Sequence, residues 1–119
     1  MTAAITETTP APTLYRLLAT YWSRYDLFTL AMRAADEIDP DAPERDAADD
    51  AQQRTSDQLD RAALAVIEYL PTWSVDAAIR ASFIQGLAER NGGSLIQQDL
   101  DALLSTLPDL VARQKGGEQ

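Results

Sequence analysis

The fold is decided by residues 12–38, which read PTLYRLLATYWSRYDLFTLAMRAADEI. Apolar and aromatic side chains recur in this stretch at alternating steps of four and three residues. This heptad spacing lines up one side of a helix for packing against a partner helix. We therefore predict a long first helix over about 13–38, with a heptad seam formed by Leu14, Leu18, Tyr21, Tyr25, Phe28, Met32 and Ala35.

Proline marks the boundaries of the first two helices. Asp39-Pro40 ends the first one, because the residue before a proline avoids helical backbone angles and proline donates no hydrogen bond. A short turn then leads into a second helix, predicted over about 44–70 and ended by Pro71. The two helices are expected to form a long antiparallel hairpin.

Two shorter helices are predicted after this hairpin. The third covers about 74–91, because the glycines in Asn91-Gly92-Gly93 suit a left-handed helix stop. The fourth covers about 94–107, with a capping box from Ser94 to Gln97 at its start and Pro108 at its end. Its expected buried face consists of Ile96, Leu100, Leu103 and Leu107.

Together these patterns predict an all-α, four-helix bundle-like fold, since no alternating run indicates a strand. A chain of 119 residues supports one hydrophobic core, so we expect a single helical domain over 12–113. The flanking segments, residues 1–11 and 114–119, are predicted to be flexible tails. No motif in the chain is specific to a characterised family.

The residue types that the chain lacks argue against most catalytic chemistry. It contains no His and no Cys, and its single Lys is Lys115 in the C-terminal segment. Imidazole catalysis, thiolate catalysis and a well-held lysine nucleophile therefore have no candidate residues. We expect a protein that is not an enzyme and that holds no metal and no cofactor.

Charge and hydropathy narrow the expected partners. The net charge is −9 and the arginines are scattered, so the basic stripe that nucleic acid binding requires is missing. No stretch approaches the roughly 18 apolar residues of a membrane span, and residues 1–11 lack the pattern of a signal peptide. We therefore expect a soluble, cytoplasmic protein that binds neither nucleic acid nor membranes.

The acidic charge is concentrated in one window. Ten of the nineteen acidic residues lie between Asp36 and Asp60, where only Arg45 and Arg54 oppose them. Carboxylates in the first turns of the second helix complement the helix dipole, which explains part of this excess. The window surrounds the predicted turn, and we call six of its residues the acidic tip: Asp39, Asp41, Glu44, Asp46, Asp49 and Asp50.

Two functions are conceivable for the acidic tip. It could bind a divalent cation, although it lacks the ligand spacing and the turn glycine of an EF-hand loop. It could instead dock on a basic surface of a protein partner, because opposite charge steers association. A solvated turn needs no function at all. We favour docking among the functional interpretations, so the tip residues are interaction candidates.

The aromatic residues support an alternative. Trp22 and Tyr25, together with Trp73, could line a pocket for a small ligand among the helices. However, Tyr25 belongs to the heptad seam, where ordinary core packing explains it. The favoured function is therefore a non-enzymatic protein–protein interaction or scaffold module with an acidic docking tip. A small-ligand-binding helical bundle with an aromatic-lined pocket is the alternative.

Leu27 and Leu30 lie outside the heptad seam. A helical wheel turns them about 140 to 160° away from it, so one contact face cannot bury both sets. A second face of the first helix must be covered, either by the third and fourth helices or by a second copy of the chain. Both residues are therefore oligomer-interface candidates for a homodimer.

Asp76 and Arg80 have the four-residue spacing of an ion pair on a helix surface. Such pairs lie on the solvent face and add a few tenths of a kcal/mol to helix stability. We expect this pair to be exposed and to need no functional explanation.

Overall fold

The computed structural model describes residues 12–72 and 74–117, with side chains described as far as residue 112. This part of the chain forms four α-helices: α1 (Pro12–Glu37), α2 (Glu44–Glu68), α3 (Ser74–Arg90) and α4 (Gln97–Gly117). No strand occurs in it. The predicted all-α, four-helix fold is confirmed. The predicted N-terminal tail, residues 1–11, lies outside the described residues, as do residues 118 and 119.

The first two helices end close to the predicted prolines. α1 begins at Pro12, whose fixed φ and missing N–H suit the first helical turn, and it stops before Asp39-Pro40. α2 ends at Glu68, slightly earlier than predicted. The reason is local, because Leu70 precedes Pro71 and is therefore pushed away from helical backbone angles.

α3 ends in the predicted left-handed glycine stop. Gly92 has a φ of 83°, a backbone conformation that residues with a Cβ atom rarely adopt. The N–H of Gly93 donates to the carbonyl of Ala88 at 2.8 Å, and that of Gly92 donates to Glu89 at 3.3 Å. These two bonds form a Schellman motif, which satisfies carbonyls that the helix end would otherwise leave unpaired.

α4 differs from its predicted form at both ends. It begins at Gln97, so the capping box from Ser94 is wrong, and it continues through Pro108 to Gly117. The fixed φ of proline is compatible with a helix. Within a helix, proline removes one backbone hydrogen bond, and the helix can continue on both sides of it. The backbone of α4 therefore extends into the segment that the sequence predicts as a C-terminal tail.

The predicted buried face of α4 is also wrong. Ile96, Leu100 and Leu107 are 38, 37 and 43 % exposed, whereas Asp99 and Thr106 are buried. The sequence offers two overlapping apolar stripes on this helix, because Leu103 and Leu104 are adjacent, as are Leu110 and Val111. Polar contacts of buried side chains, described below, orient the helix differently from the prediction.

The described chain divides into two compact units. The hairpin unit is Arg16–Ala63, in which α1 and α2 run antiparallel. Contacts between residues 38 and 45 near the turn, and between Arg24 and Gln58 further away, establish this direction. The buried apolar residues of this unit are Tyr21, Ala35, Ala62 and Ala63. Small alanines at the contact allow two helices to approach closely, which suits hairpin packing.

The C-terminal unit combines the start of α1, up to Tyr15, with the chain from Leu64 onward. Its buried apolar residues are Leu14, Val66, Ile67 and Phe83. Removing a side chain of this size from water contributes about 1.5–3 kcal/mol, so these residues supply much of the stability of the unit. The interpretation of residues 12–113 as a single domain stays a prediction.

The heptad seam of α1 is directed inward along its length. Leu14, Tyr21 and Ala35 are fully or almost fully buried, and the other four seam residues are half-buried. The seam was therefore correctly predicted from its spacing. Across the described residues, none of the helices combines the length and the apolar content needed to cross a lipid bilayer.

Candidate functional site

The acidic tip is built on a turn that is ordered by its own backbone. The side-chain Oδ1 of Asp39 accepts a hydrogen bond from the N–H of Asp41 at 2.9 Å. The Asp39 carbonyl accepts from the N–H of Ala42, also at 2.9 Å, and Ala42 accepts from Arg45 at 3.0 Å. Aspartate commonly makes such local bonds, which compete with water for the backbone. The turn therefore holds its carboxylates on a fixed backbone.

Arg45 ties the two ends of this turn together. Its Nε donates to Asp49 Oδ1 at 2.9 Å, and its NH1 donates to the carbonyl of Ile38 at 3.1 Å. Ile38 follows the last residue of α1, so its carbonyl belongs to the helix end that attracts cations. The hydrogen bond to Asp49 raises the pKa of the Arg45 guanidinium above its ordinary value. Arg45, one of the two bases in the acidic window, is thus bound to groups within the same turn.

The structure brings the six residues of the acidic tip together on an exposed surface. They lie on the turn and the first turns of α2, where Glu44 and Asp46 occupy the first helical turn. Within the tip, Arg45 and Asp49 form an ion pair at 2.9 Å. No group of three or more acidic side chains in this part of the chain is arranged to hold a metal ion. The tip therefore presents dispersed negative charge.

A surface depression lies beside the acidic tip in the hairpin unit. It has a volume of about 330 Å³ and is lined by Phe28, Asp49, Gln52, Gln53 and Ser56. The Nε2 of Gln53 donates to Asp57 Oδ1 at 3.0 Å, which leaves its amide oxygen as an acceptor. Its other polar lining groups can also accept hydrogen bonds. The depression was not predicted from the sequence. The signal that could have indicated it is the scarcity of large apolar residues in the first half of α2.

The predicted aromatic pocket is only partly described. Tyr21 is buried, Tyr25 is half-buried and Trp22 is 45 % exposed. The Trp22 ring lies edge-on to both tyrosines, with centroid distances of 5.0 Å to Tyr21 and 5.5 Å to Tyr25. Such edge-to-face pairs add to stability beyond area burial. Trp73 lies outside the described residues, so the three-aromatic pocket stays a prediction.

Leu27 and Leu30 remain exposed on α1. Their side chains are 43 and 62 % accessible to solvent, so the part of the chain that the structure describes covers neither of them fully. Tyr15, which also lies outside the seam, is 64 % exposed. Within one copy, the described residues therefore do not supply the second covered face that the helical wheel indicated. Whether a second copy meets it stays a prediction.

A buried polar cluster in the C-terminal unit was not predicted. Arg80 is 6 % exposed, and its Nε donates to the carbonyl of Ile67 at 3.0 Å. Its NH2 also donates to this carbonyl, and to Thr106 Oγ1 at 2.9 Å. Ile67 lies in the last turn of α2, where carbonyls have no partner within the helix. Arg80 on α3 therefore caps α2 and also binds α4.

Asp76 is the second charged member of this cluster. It is fully buried, and its Oδ2 accepts a hydrogen bond from the hydroxyl of Tyr69 at 2.8 Å. The prediction of an exposed Asp76–Arg80 pair is wrong, because both side chains point into the unit and bind other groups there. Burial lowers the pKa of Arg80, yet an arginine stays charged at physiological pH. The cluster orients three helices and is a structural feature.

Comparison with protein-family models, with curated proteins and with solved structures found no match. Function is therefore inferred from the residues of this chain.

Proposed function

We propose that this chain is a non-enzymatic protein–protein interaction or scaffold module whose acidic tip docks on a basic surface of a partner protein. The observation that carries this proposal is the exposure of all six tip carboxylates on an ordered turn and the first turns of α2. Asp49 is the member that has an ion-pair partner among the described residues. The remaining negative charge faces solvent and is available to a cationic partner.

The charge distribution supports docking by this end of the hairpin. Between Asp36 and Asp60 ten acids face two bases, whereas the rest of the chain contains nine acids and eight bases. A localised charge attracts and orients a partner of opposite sign before contact, which raises the association rate. The window contains more acidic residues than favourable contact with the helix dipole explains. Because neighbouring like charges repel each other, this excess costs stability, which is consistent with selection for a partner.

The depression beside the tip supports a partner that presents arginine or lysine side chains. Its lining combines a carboxylate, Asp49, with the amides of Gln52 and Gln53 and the hydroxyl of Ser56. Carboxylate and carbonyl oxygens accept hydrogen bonds from guanidinium and ammonium groups, and the ring of Phe28 can attract a cation. We expect one basic side chain of the partner to enter this depression. The proposal includes a cytoplasmic location for the protein.

The test neutralises the tip without breaking its internal bonds. Asp41, Asp46 and Asp50 are replaced together with Asn, while Asp39 and Asp49 are kept because they hold the turn. The matched control, Asp26→Asn with Glu68→Gln and Asp109→Asn, removes the same charge from exposed positions elsewhere. Proteins retained from lysate are identified by mass spectrometry, and a purified candidate partner is then titrated against each variant.

We expect the tip variant to lose a basic partner that both the wild type and the control retain. Affinity should also fall steeply as salt rises from about 50 mM to about 300 mM, because the Debye length shortens over this range. Equal retention by the tip variant and the control would refute docking by the tip. In that case the acidic residues would serve only to keep the turn solvated.

A further inference from the structure

The depression beside the acidic tip has two different walls. Four of its five lining residues share one side of α2 over two helical turns, namely Asp49, Gln52, Gln53 and Ser56. At a rise of 1.5 Å per residue, this polar row is about 10 Å long. The fifth lining residue is Phe28 of α1. A guest in the depression would therefore meet a polar row on one side and an aromatic ring on the other.

The residue types of α2 explain why this space exists within the hairpin unit. The hydrogen bond between Arg24 and Gln58 fixes which levels of the two helices lie side by side, and it places Phe28 roughly level with residue 54. Near this level α2 contributes Gln52 and Ser56, which are half-buried and polar. Apolar packing therefore does not fill the space beside the Phe28 ring.

The polar row offers hydrogen-bond acceptors. Asp49 binds Arg45 through Oδ1 at 2.9 Å, and a carboxylate accepts up to about four hydrogen bonds, so Asp49 can take further donors. The Nε2 of Gln53 donates to Asp57 at 3.0 Å, which leaves the amide oxygen of Gln53 as an acceptor. None of the five lining residues is a base. The lining therefore suits a guest that is positively charged and donates several hydrogen bonds.

We propose that the depression binds an arginine side chain of the partner protein and selects it over lysine. This inference rests on the proposed function, because it names the side chain that the partner presents beside the acidic tip. Asp49 and Gln53 are four residues apart, a spacing that separates Cβ atoms on a helix by about 5–6 Å. The flat guanidinium has five donors and can bridge two such acceptors, whereas the lysine ammonium is a compact point charge.

The aromatic wall also favours arginine. A guanidinium is more weakly hydrated than an ammonium and stacks on aromatic faces, so contact with the Phe28 ring costs it less hydration. The methylene stem of the arginine can pack on the same ring. A neutral donor would fit the acceptors but would gain nothing from the surrounding negative charge. An anion would be repelled by Asp49 and by the rest of the acidic tip.

Peptide titrations followed by NMR test the inference on the full chain. The probes are a blocked tripeptide with arginine between two glycines and versions with lysine or citrulline, a neutral analogue of arginine, in its place. At about 150 mM salt, where distant charges are screened, the arginine peptide should shift the side-chain amide signals of Gln52 and Gln53. It should bind about fivefold more tightly than the lysine peptide, which corresponds to one additional hydrogen bond. The citrulline peptide should bind more weakly than the arginine peptide.

Two variants test whether the depression is the site. Ser56→Leu fills the space without changing any charge, and it should abolish the preference for arginine over lysine. Its matched control, Ser23→Leu, adds the same side chain at an exposed position of α1 and should keep the preference. Phe28→Leu removes the ring and should reduce the preference. Circular dichroism checks that each variant keeps its helices, and the wild-type titrations decide the question if a variant does not fold.

A lysine peptide that binds the wild type as tightly as the arginine peptide would overturn the inference. So would a preference that survives in Ser56→Leu, or arginine-induced shifts that spare Gln52 and Gln53. Each of these results leaves docking by the acidic tip intact, because attraction between opposite charges does not depend on the type of basic residue. Equal retention of partners by the tip variant and its control, together with selective arginine binding, would instead refute docking by the tip and leave the selectivity of the depression standing.

Discussion

The acidic tip and the buried polar cluster contain the same pair of residue types at the same spacing, with opposite outcomes. Arg45 and Asp49 are four residues apart on α2, and they form an ion pair in contact with solvent. Asp76 and Arg80 are four residues apart on α3, and both are buried and bonded to other groups. Sequence spacing shows which charged groups can meet, but it does not show whether water surrounds them.

The energetic consequence of this difference is large. An exposed ion pair contributes little, because water and salt screen the attraction and two long side chains lose freedom. A buried charged group has lost its hydration, so each hydrogen bond it makes offsets part of that cost. The protein should therefore tolerate changes in the tip and be sensitive to changes in the cluster.

The largest effect is expected from Arg80→Met, which keeps much of the side-chain stem and removes the guanidinium. The Ile67 carbonyl and the Thr106 hydroxyl then lose their donor inside the unit. We expect the free energy of unfolding to fall by about 3 kcal/mol, measured by urea denaturation. Arg45→Met is the matched control in the tip and should leave the denaturation midpoint almost unchanged. Equal losses in both variants would break the comparison.

A smaller effect is expected from Tyr69→Phe, which removes one hydroxyl and almost no volume. Asp76 then loses a hydrogen-bond donor while remaining buried. We expect a loss of about 2 kcal/mol in the free energy of unfolding, since losing one hydrogen bond to a buried charged group is costly. Tyr15→Phe removes a hydroxyl from an exposed tyrosine and serves as control. A loss no greater than that of the control would mean that the Tyr69 hydroxyl contributes nothing.

The smallest effect concerns Asp60. Its side chain is half-buried, so its exposure lies between that of the acidic tip and that of the buried polar cluster. Burial, and secondly the negative charge of Asp57, raise the pKa of Asp60 above its ordinary value. The folded state then binds the proton more tightly than the unfolded state, so stability falls as pH rises from the unfolded pKa through the raised folded pKa. Above this window the carboxylate destabilises the fold; below it the penalty is absent.

Replacing Asp60 with Asn should therefore raise the thermal midpoint slightly at neutral pH. The gain should disappear as pH falls below about 4, where the carboxyl is protonated in both states. Asp26→Asn, at an exposed position on α1, is the control and should give no such pH-dependent gain. Thermal melts across this pH range measure both variants. A gain that is equally large at acidic pH would contradict the assigned cause.

Local sequence signals predicted most of the helices correctly, and the reasons are local. The heptad seam of α1, the stop before Asp39-Pro40 and the glycine stop after α3 each depend on residues within one or two turns. The exposure of the acidic tip also followed from its composition. Predictions failed where a long-range choice mattered. The end of α4 and its inward face were both wrong, because two apolar stripes on that helix have equally good spacing.

The sequence by itself determined the helices, the acidic turn and the absence of histidine and cysteine chemistry, because these depend on residue type and on near neighbours. Only the tertiary structure decided that Asp76 and Arg80 are buried and that Leu100, Leu104 and Leu107 of α4 are exposed. Arg80 binds Ile67 and Thr106, which lie 13 and 26 residues away along the chain. No local pattern reports such contacts, since a helical face becomes inner or outer only when distant segments supply its partners.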